Sequence, residues 1–269
     1  MRGASADSLA RLTEQLGSAV ESGADAARIA EDLFAVSALL RREPSLRRMA
    51  TDLSLQPAAK SDFVRALLAE QLDPASMDLV ASAVAQRWTA TRDLADALEQ
   101  LGVIAVVKGA DRQGQADALE DELFGFGRMV SENPELRDAL SDPARSAQDK
   151  HALLDGLLEG RVTAATVRLA KQAVVSSHRT VSVAVEEYQT VAARNRNRLV
   201  ATVSVARELG DADRQRLQGA LARQYDRPVH LNVVVDPDVV GGGQVEIGDD
   251  VIDGTVASRL DDARRRLAG

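Results

Sequence analysis

The sequence predicts a mainly α-helical protein: two six-helix-type bundles, related by duplication and sharing one helix, followed by a small α/β domain. Three observations carry this prediction. The chain repeats itself at a shift of 90 residues, apolar residues recur at helical spacing as far as residue 198, and beyond that point the period changes to that of a strand.

At the 90-residue shift, two segments align without a gap. Leu33-Phe34 falls on Leu123-Phe124, and Pro44-Ser45-Leu46-Arg47 on Pro134-Glu135-Leu136-Arg137. Asp52 meets Asp142, Lys60 meets Lys150, and Leu67-Leu68 meets Leu157-Leu158. Ala75, Leu79, Ala83 and Val84 meet Ala165, Leu169, Ala173 and Val174. Solenoid units are shorter than this, so the shift marks a duplicated domain.

Punctuation inside each copy marks helix starts. Asp73-Pro74 and Asn133-Pro134 pair an N-cap residue with proline at the first helical position, and Ser146 and Thr163 open further helices. The spacing predicts helices near 5–20, 25–41, 45–50, 58–71, 74–88 and 90–107 in the first copy. In the second it predicts 112–132, 135–140, 147–158, 163–177 and 179–197. The helix at 90–107 ends one bundle and begins the next, and its apolar residues suffice for both. The expected division is therefore 1–93, 94–197 and 198–269.

After 198, Leu199, Ala201, Val203 and Val205 alternate with their neighbours as in a strand. A helix capped by Asp211 follows, carrying Leu217, Leu221 and Tyr225; then come strands at 229–235 and 244–247. Asp249 to Thr255 reads as a turn, and a last helix is expected from 255 to 267.

Composition bounds the function. Of 269 residues, 45% are apolar and 28% charged, the profile of a folded chain, while aromatics at 3% leave the core to Leu, Val and Ala. There is no cysteine, so disulfides and thiolate metal sites are excluded, which fits a reducing compartment. The N-terminus lacks the apolar core of a secretory signal, and charges interrupt every apolar run, so no span of a membrane is expected. The net charge of −8 disfavours nucleic acid. The one basic run, Arg194-Asn195-Arg196-Asn197-Arg198, reads as a helix C-terminus complementing its dipole or as a contact for an acidic helix.

No catalytic, cofactor or metal site emerges. His151, His178 and His230 lie in different elements at spacings that suit no metal set. Gly241-Gly242-Gly243 is followed by Gln244-Val245-Glu246, a strand with a carboxylate rather than a phosphate-binding helix, so the glycines read as a turn. Asp249, Asp250 and Asp253 lack the ligand spacing of a calcium loop; Asp253 or Thr255 caps the last helix instead. Trp88 is either core at a helix junction or a partner anchor. An enzyme with a catalytic tail would need a polar constellation that the tail does not offer. A helical adaptor unrelated to energy conversion fits the first half equally well.

The tail carries a more specific pattern. Val229-x-Leu231-x-x-x-Val235-Asp236-Pro237-x-Val239-x-Gly241-Gly242-Gly243-x-Val245-Glu246-Ile247-Gly248-Asp249, followed by Val251-Ile252-Asp253-Gly254-Thr255-Val256-x-x-x-Leu260, resembles the C-terminal signature of the F-type ATP synthase delta subunits. That family includes the mitochondrial oligomycin sensitivity-conferring protein. Asp236, Gly241, Gly242, Gly248, Asp249, Asp253 and Gly254 are the structural residues of the signature. Residues 94–197 resemble the family's helical bundle, and residues 1–93 are an addition to it.

The resemblance implies a non-catalytic stator subunit without cofactors, peripheral at the cytoplasmic face of the cell membrane. It implies a bundle that binds N-terminal helices of alpha subunits and a C-terminal domain that binds the b subunits, joining head to stalk. The family's groove maps to 90–107 with 163–177, facing Leu94, Leu98, Leu101, Val167, Leu169 and Ala173. On that mapping Leu98→Asp is expected to release the alpha-derived helix. The stripe Val256, Leu260, Ala263 and Leu267 of the last helix either closes its own domain or seats the b helix; deleting 256–269 separates the two.

Overall fold

The structure, a computed structural model, describes residues 1–195, 199–226, 228–237, 239, 242–247 and 250–253. Eleven helices come first: α1 (Ala4–Glu21), α2 (Ala26–Arg42), α3 (Pro44–Thr51), α4 (Pro57–Leu68), α5 (Pro74–Ala85), α6 (Asp93–Arg112), α7 (Ala116–Glu132), α8 (Pro134–Ser141), α9 (Ala147–Leu158), α10 (Ala164–Val175) and α11 (Val181–Asn195). The duplication is exact at the level of elements: moved by 90 residues, α2, α3, α4 and α5 coincide with α7, α8, α9 and α10 at both ends.

Caps explain several of these boundaries. The Asp73 carboxylate accepts the Ala75 N–H at 2.9 Å, and the Ser146 hydroxyl accepts that of Asp149 at 3.1 Å. Thr163 accepts the N–H of Thr166 at 3.3 Å. Asn133 departs from its expected role: its side-chain amide turns back to donate to the Met129 carbonyl at the end of α7. At the end of α5 the Ala83 carbonyl accepts two bonds, the Gln86 N–H at 3.2 Å and the Trp88 indole N–H at 2.9 Å, which fold the chain back over the last turn. Trp88 is buried there, so of its two readings the structure takes core.

Helix α6 runs five residues beyond its expected end and buries thirteen of its residues, leaving a narrow polar edge at Asp93, Asp96 and Gln100. It packs against α1 and α2 on one side and α7 and α10 on the other, so it serves both copies. Small residues seven apart let α2 lie close. The Ala95 carbonyl accepts the Ser37 hydroxyl at 2.7 Å. A Cβ on Gly102 would sit 2.5 Å from the Phe34 ring, and one on Gly109 would sit 3.2 Å from Ala26. Two residues past the end of α6, Gly114 has a left-handed φ of 68°, and the Gln115 N–H closes back on the Ala110 carbonyl. Gly102→Val should therefore lower stability by about 1–3 kcal/mol through overpacking. Thermal unfolding checks this, and Phe34→Ala in the same chain should recover part of the loss.

The chain divides into two compact units, Met1–Val191 and Ala192–Gly269, so the boundary expected between 93 and 94 falls inside the first unit. In the second unit β1 (Leu199–Val205), α12 (Asp211–Tyr225), β2 (Val229–Val235), β3 (Gly243–Ile247) and β4 (Asp250–Asp253) form a sheet of order β2-β1-β3-β4. β1 and β2 are parallel with α12 as their crossover, and the other pairs are antiparallel. Ala201, Val203, Val205, Leu231, Val245 and Ile247 build one apolar face, against which Leu217 and Leu221 of α12 pack. The N-cap of α12 is Gly210, one residue before the expected Asp211.

Asp250–Asp253, expected as part of a turn, is a strand. Two terminal aspartates disguise a period-two segment in which Val251 is exposed and Ile252 packs on the core. The expected last helix at 255–267 lies outside the described residues.

Candidate functional site

The residues expected to face a partner helix do not share one fate. Leu94, Leu98, Leu101, Leu169 and Ala173 are enclosed within the chain itself. The physical reason is the double duty of α6: with α1 and α2 on one side and α7 and α10 on the other, its apolar stripe is consumed internally. Val167 differs. It lines an open groove of about 580 Å³ between α2, α9 and α10, together with Phe34, Val162 and Val175.

Val167, Lys171 and Val175 follow at intervals of four, which places them on one stripe of α10. Val175 is 41% exposed, an apolar side chain facing water at the end of the stripe. The walls are tied to α10 by ion pairs, Arg168 to Glu31 of α2 at 2.8 Å and Lys171 to Asp155 of α9 at 2.6 Å. The Lys171 carbonyl also lies 3.2 Å from the His151 ring nitrogen, which gives that histidine a place in the wall. A second hollow of about 500 Å³ continues past Arg168 toward the N-terminus of α2, where Ala24 to Ala27 and Gly109 line it.

The N-terminal turn of α10 is fixed by one carboxylate. Glu122 of α7 accepts the Thr163 N–H at 2.9 Å and the hydroxyls of Thr163 and Thr166 at 2.7 and 2.5 Å. A negative charge at a helix N-terminus is favourable there.

Sequence reasoning missed a polar cluster that joins the two copies. The Arg41 guanidinium at the end of α2 donates to Glu99 and, at 3.0 Å, to Asp96, both on α6. It also donates to Ser177, in the α10–α11 connection, at 3.1 Å. Tyr188 of α11 donates its hydroxyl to the other oxygen of Glu99 at 2.7 Å, and the His178 ring meets the Tyr188 ring edge-on at 6.0 Å. Burial, the Glu99 charge and this hydrogen bond together hold the Tyr188 hydroxyl above the usual tyrosine range, so it stays a donor. The available signal was Glu99 itself, a carboxylate set between Leu98 and Leu101 on the apolar stripe of α6.

In the second unit the signature residues that are described do structural work. The Asp236 N–H donates to the Val205 carbonyl at 2.8 Å, extending the β1–β2 ladder by one bond, and its own carbonyl accepts the Val239 N–H. Gly242 has φ of 80°, the left-handed turn conformation expected of it. Gly243 lets β3 approach β1, since a Cβ there would stand 3.2 Å from the Ser204 carbonyl. Of Asp253 only the backbone, in β4, is described; Gly241, Gly248, Asp249 and Gly254 lie outside the described residues. Among the described residues no group of His, Asp and Glu could hold a metal ion, and no helix is long and apolar enough to cross a membrane.

Comparison with known proteins bears on all of this. The family described as ATP synthase delta (OSCP) subunit matches residues 104–267. The ATP synthase subunit delta of Nocardioides sp. is 55% identical over all of this chain and 98% of that protein. The protein of the same description from Kineococcus radiotolerans is 48% identical over 92% of this chain and 90% of its own length. That from Streptomyces coelicolor is 46% identical over all of this chain and 98% of its own. A chain of the Toxoplasma gondii mitochondrial ATP synthase hexamer aligns with 62% of this chain at 20% identity, but its TM-score of 0.35 is too low to bear on the geometry. With the family matched over more than half the chain and relatives aligned along its length, the chain belongs to the ATP synthase delta (OSCP) subunit family.

Proposed function

We propose that this ATP synthase subunit is the non-catalytic connector of the stator. Residues 94–197 receive an N-terminal helix of an alpha subunit, residues 198–269 hold the end of the b subunits, and residues 1–93 are an added bundle that braces the first contact. In this reading the subunit is peripheral, at the cytoplasmic face of the cell membrane, and keeps the catalytic head from turning with the shaft.

The observation that carries the reading is the groove along α10. An amphipathic helix needs an apolar trough with firm walls, and Phe34, Val162, Val167 and Val175 offer one between α2 and α9. The buried residues Leu94, Leu98, Leu101, Leu169 and Ala173 act beneath it, locking α6 to α10 so that the stripe of Val167 stays aimed outward. A contact under continuous load needs a slow off-rate, which buried apolar anchors supply better than exposed ion pairs.

The test is purification of the tagged full-length chain from cells that make the complex. The parent chain should bring down alpha and b subunits. Val167→Asp with Val175→Asp should cut retention of alpha by about tenfold or more while b is kept, because each carboxylate must be desolvated under the docked helix. Undiminished alpha in the doubly charged variant would overturn the assignment of this groove.

A further inference from the structure

We propose that the cavity at the N-terminus of α4 binds a carboxylate that a partner polypeptide carries beside an apolar side chain. The cavity measures about 380 Å³ and is lined by Asp52 to Pro57, Lys60 and the segment 85–87. It lies in the first copy, away from the α10 groove, and does not depend on the role given to that groove.

Lys60 is 3% exposed as a residue, its stem buried and its ammonium opening on the cavity that it lines, and among the described residues that ammonium makes no hydrogen bond and no ion pair within 4 Å. Asp52 attracts it from farther away, while the Asp52 carboxylate is itself engaged by the Ser54 N–H at 2.8 Å and hydroxyl at 2.7 Å. Burial holds the Lys60 pKa below the usual lysine range. A partly desolvated ammonium facing the cavity, with Asp52 engaged elsewhere, gains from a second negative charge placed beside it.

The backbone adds donors at the same spot. The N-cap of α4, Gln56, gives no side-chain capping bond, and Pro57 has no N–H. The first amide to bond back is that of Lys60, to the Gln56 carbonyl, so the N–H groups of Ala58 and Ala59 have no acceptor among the described residues. In the second copy the corresponding helix α9 is capped by the Ser146 hydroxyl. There Arg145, which stands where the first copy has Leu55, lies 3.8 Å from Asp142, and Ser177 replaces Arg87.

Charge and shape select the ligand class. Lys60 and Arg87 against Asp52 leave one net positive charge, which suits a single carboxylate better than a doubly charged phosphate. Leu53 at 63% and Leu55 at 40% exposure line the same cavity and offer an apolar rest for the neighbouring side chain.

The experiment follows the Ala58 and Ala59 amide signals and the Lys60 ε-methylene signal of the isotope-labelled full-length chain during titration with N-acetyl-L-leucine. Saturable shifts at roughly millimolar concentration are expected. Lys60→Met, which keeps the length of the side chain, should weaken them about tenfold or more. Should that variant not fold, Arg87→Gln on the exposed rim supports the site by a smaller loss. Absence of saturation, equal binding of N-acetyl-L-leucinamide, tighter binding of inorganic phosphate, or unchanged binding in the folded variants would each overturn the proposal.

Discussion

Leu98→Asp should prevent the first unit from folding, and not merely release a partner helix. Leu98 is enclosed in α6, where α1, α2, α7 and α10 pack round the helix. Truncating a buried leucine already costs about 2–5 kcal/mol, and an unpaired carboxylate in the same place adds several more. Against a total stability of about 5–15 kcal/mol for a typical domain, that sum removes most or all of the margin. The measurement is far-ultraviolet circular dichroism with a thermal scan of the full-length variant. Loss of the helical signal and of the cooperative transition is the expected result. Val167→Asp, on the half-exposed stripe of α10, should leave both nearly unchanged. A folded Leu98→Asp chain that lost only its alpha contact would mean that the α6–α10 seam opens to admit a helix, and that the groove lies there instead.

The contrast between these two positions shows what could be read from residues alone. The repeat located helices α2 to α5 and α7 to α10, because identical spacing of caps and leucines survives duplication in a linear string. Strands β1 and β2 were readable as strands, β1 from its alternation, but their parallel pairing was not, and β2 is buried on consecutive residues at its start. The identity of the open face was not readable either. Both Leu98 and Val167 sit on apolar stripes, and only the packing of α2 over α6 tells enclosed from open. A hint was present: Val103, Ile104, Val106 and Val107 follow Leu98 and Leu101 on α6, and a helix with apolar residues on most of its faces has little left for a visitor. β4 escaped notice because its aspartates resemble turn residues, and the polar cluster because its members stand 58 and 89 residues apart.

That cluster yields the second large effect. Arg41→Met should destabilise the first unit by about 3–5 kcal/mol, the usual cost of removing one partner from a buried ion pair. Glu99 would remain 3% exposed, keeping the Tyr188 hydroxyl but, among the described residues, no ion pair. Asp96 would meanwhile lose its own contact to Arg41. If the penalty comes from the stranded carboxylate, Glu99→Gln added to Arg41→Met should recover part of it, because a neutral amide is cheaper to bury than an ion. Equilibrium unfolding in denaturant measures all three chains, and equal midpoints for the parent and Arg41→Met would sink the argument. The same cluster sets a response to alkali. Tyr188 is held protonated in the folded chain while an unfolded tyrosine ionises near pH 10, so above about pH 10 the unfolded state binds fewer protons and stability falls as pH rises. The slope from this one group is about 1.4 kcal/mol per pH unit at most, and Tyr188→Phe should remove it. Because Arg41, Glu99 and Tyr188 come from α2, α6 and α11, this loss would act on the contact between the duplicated halves, loosening α2 as the wall of the groove beside α10.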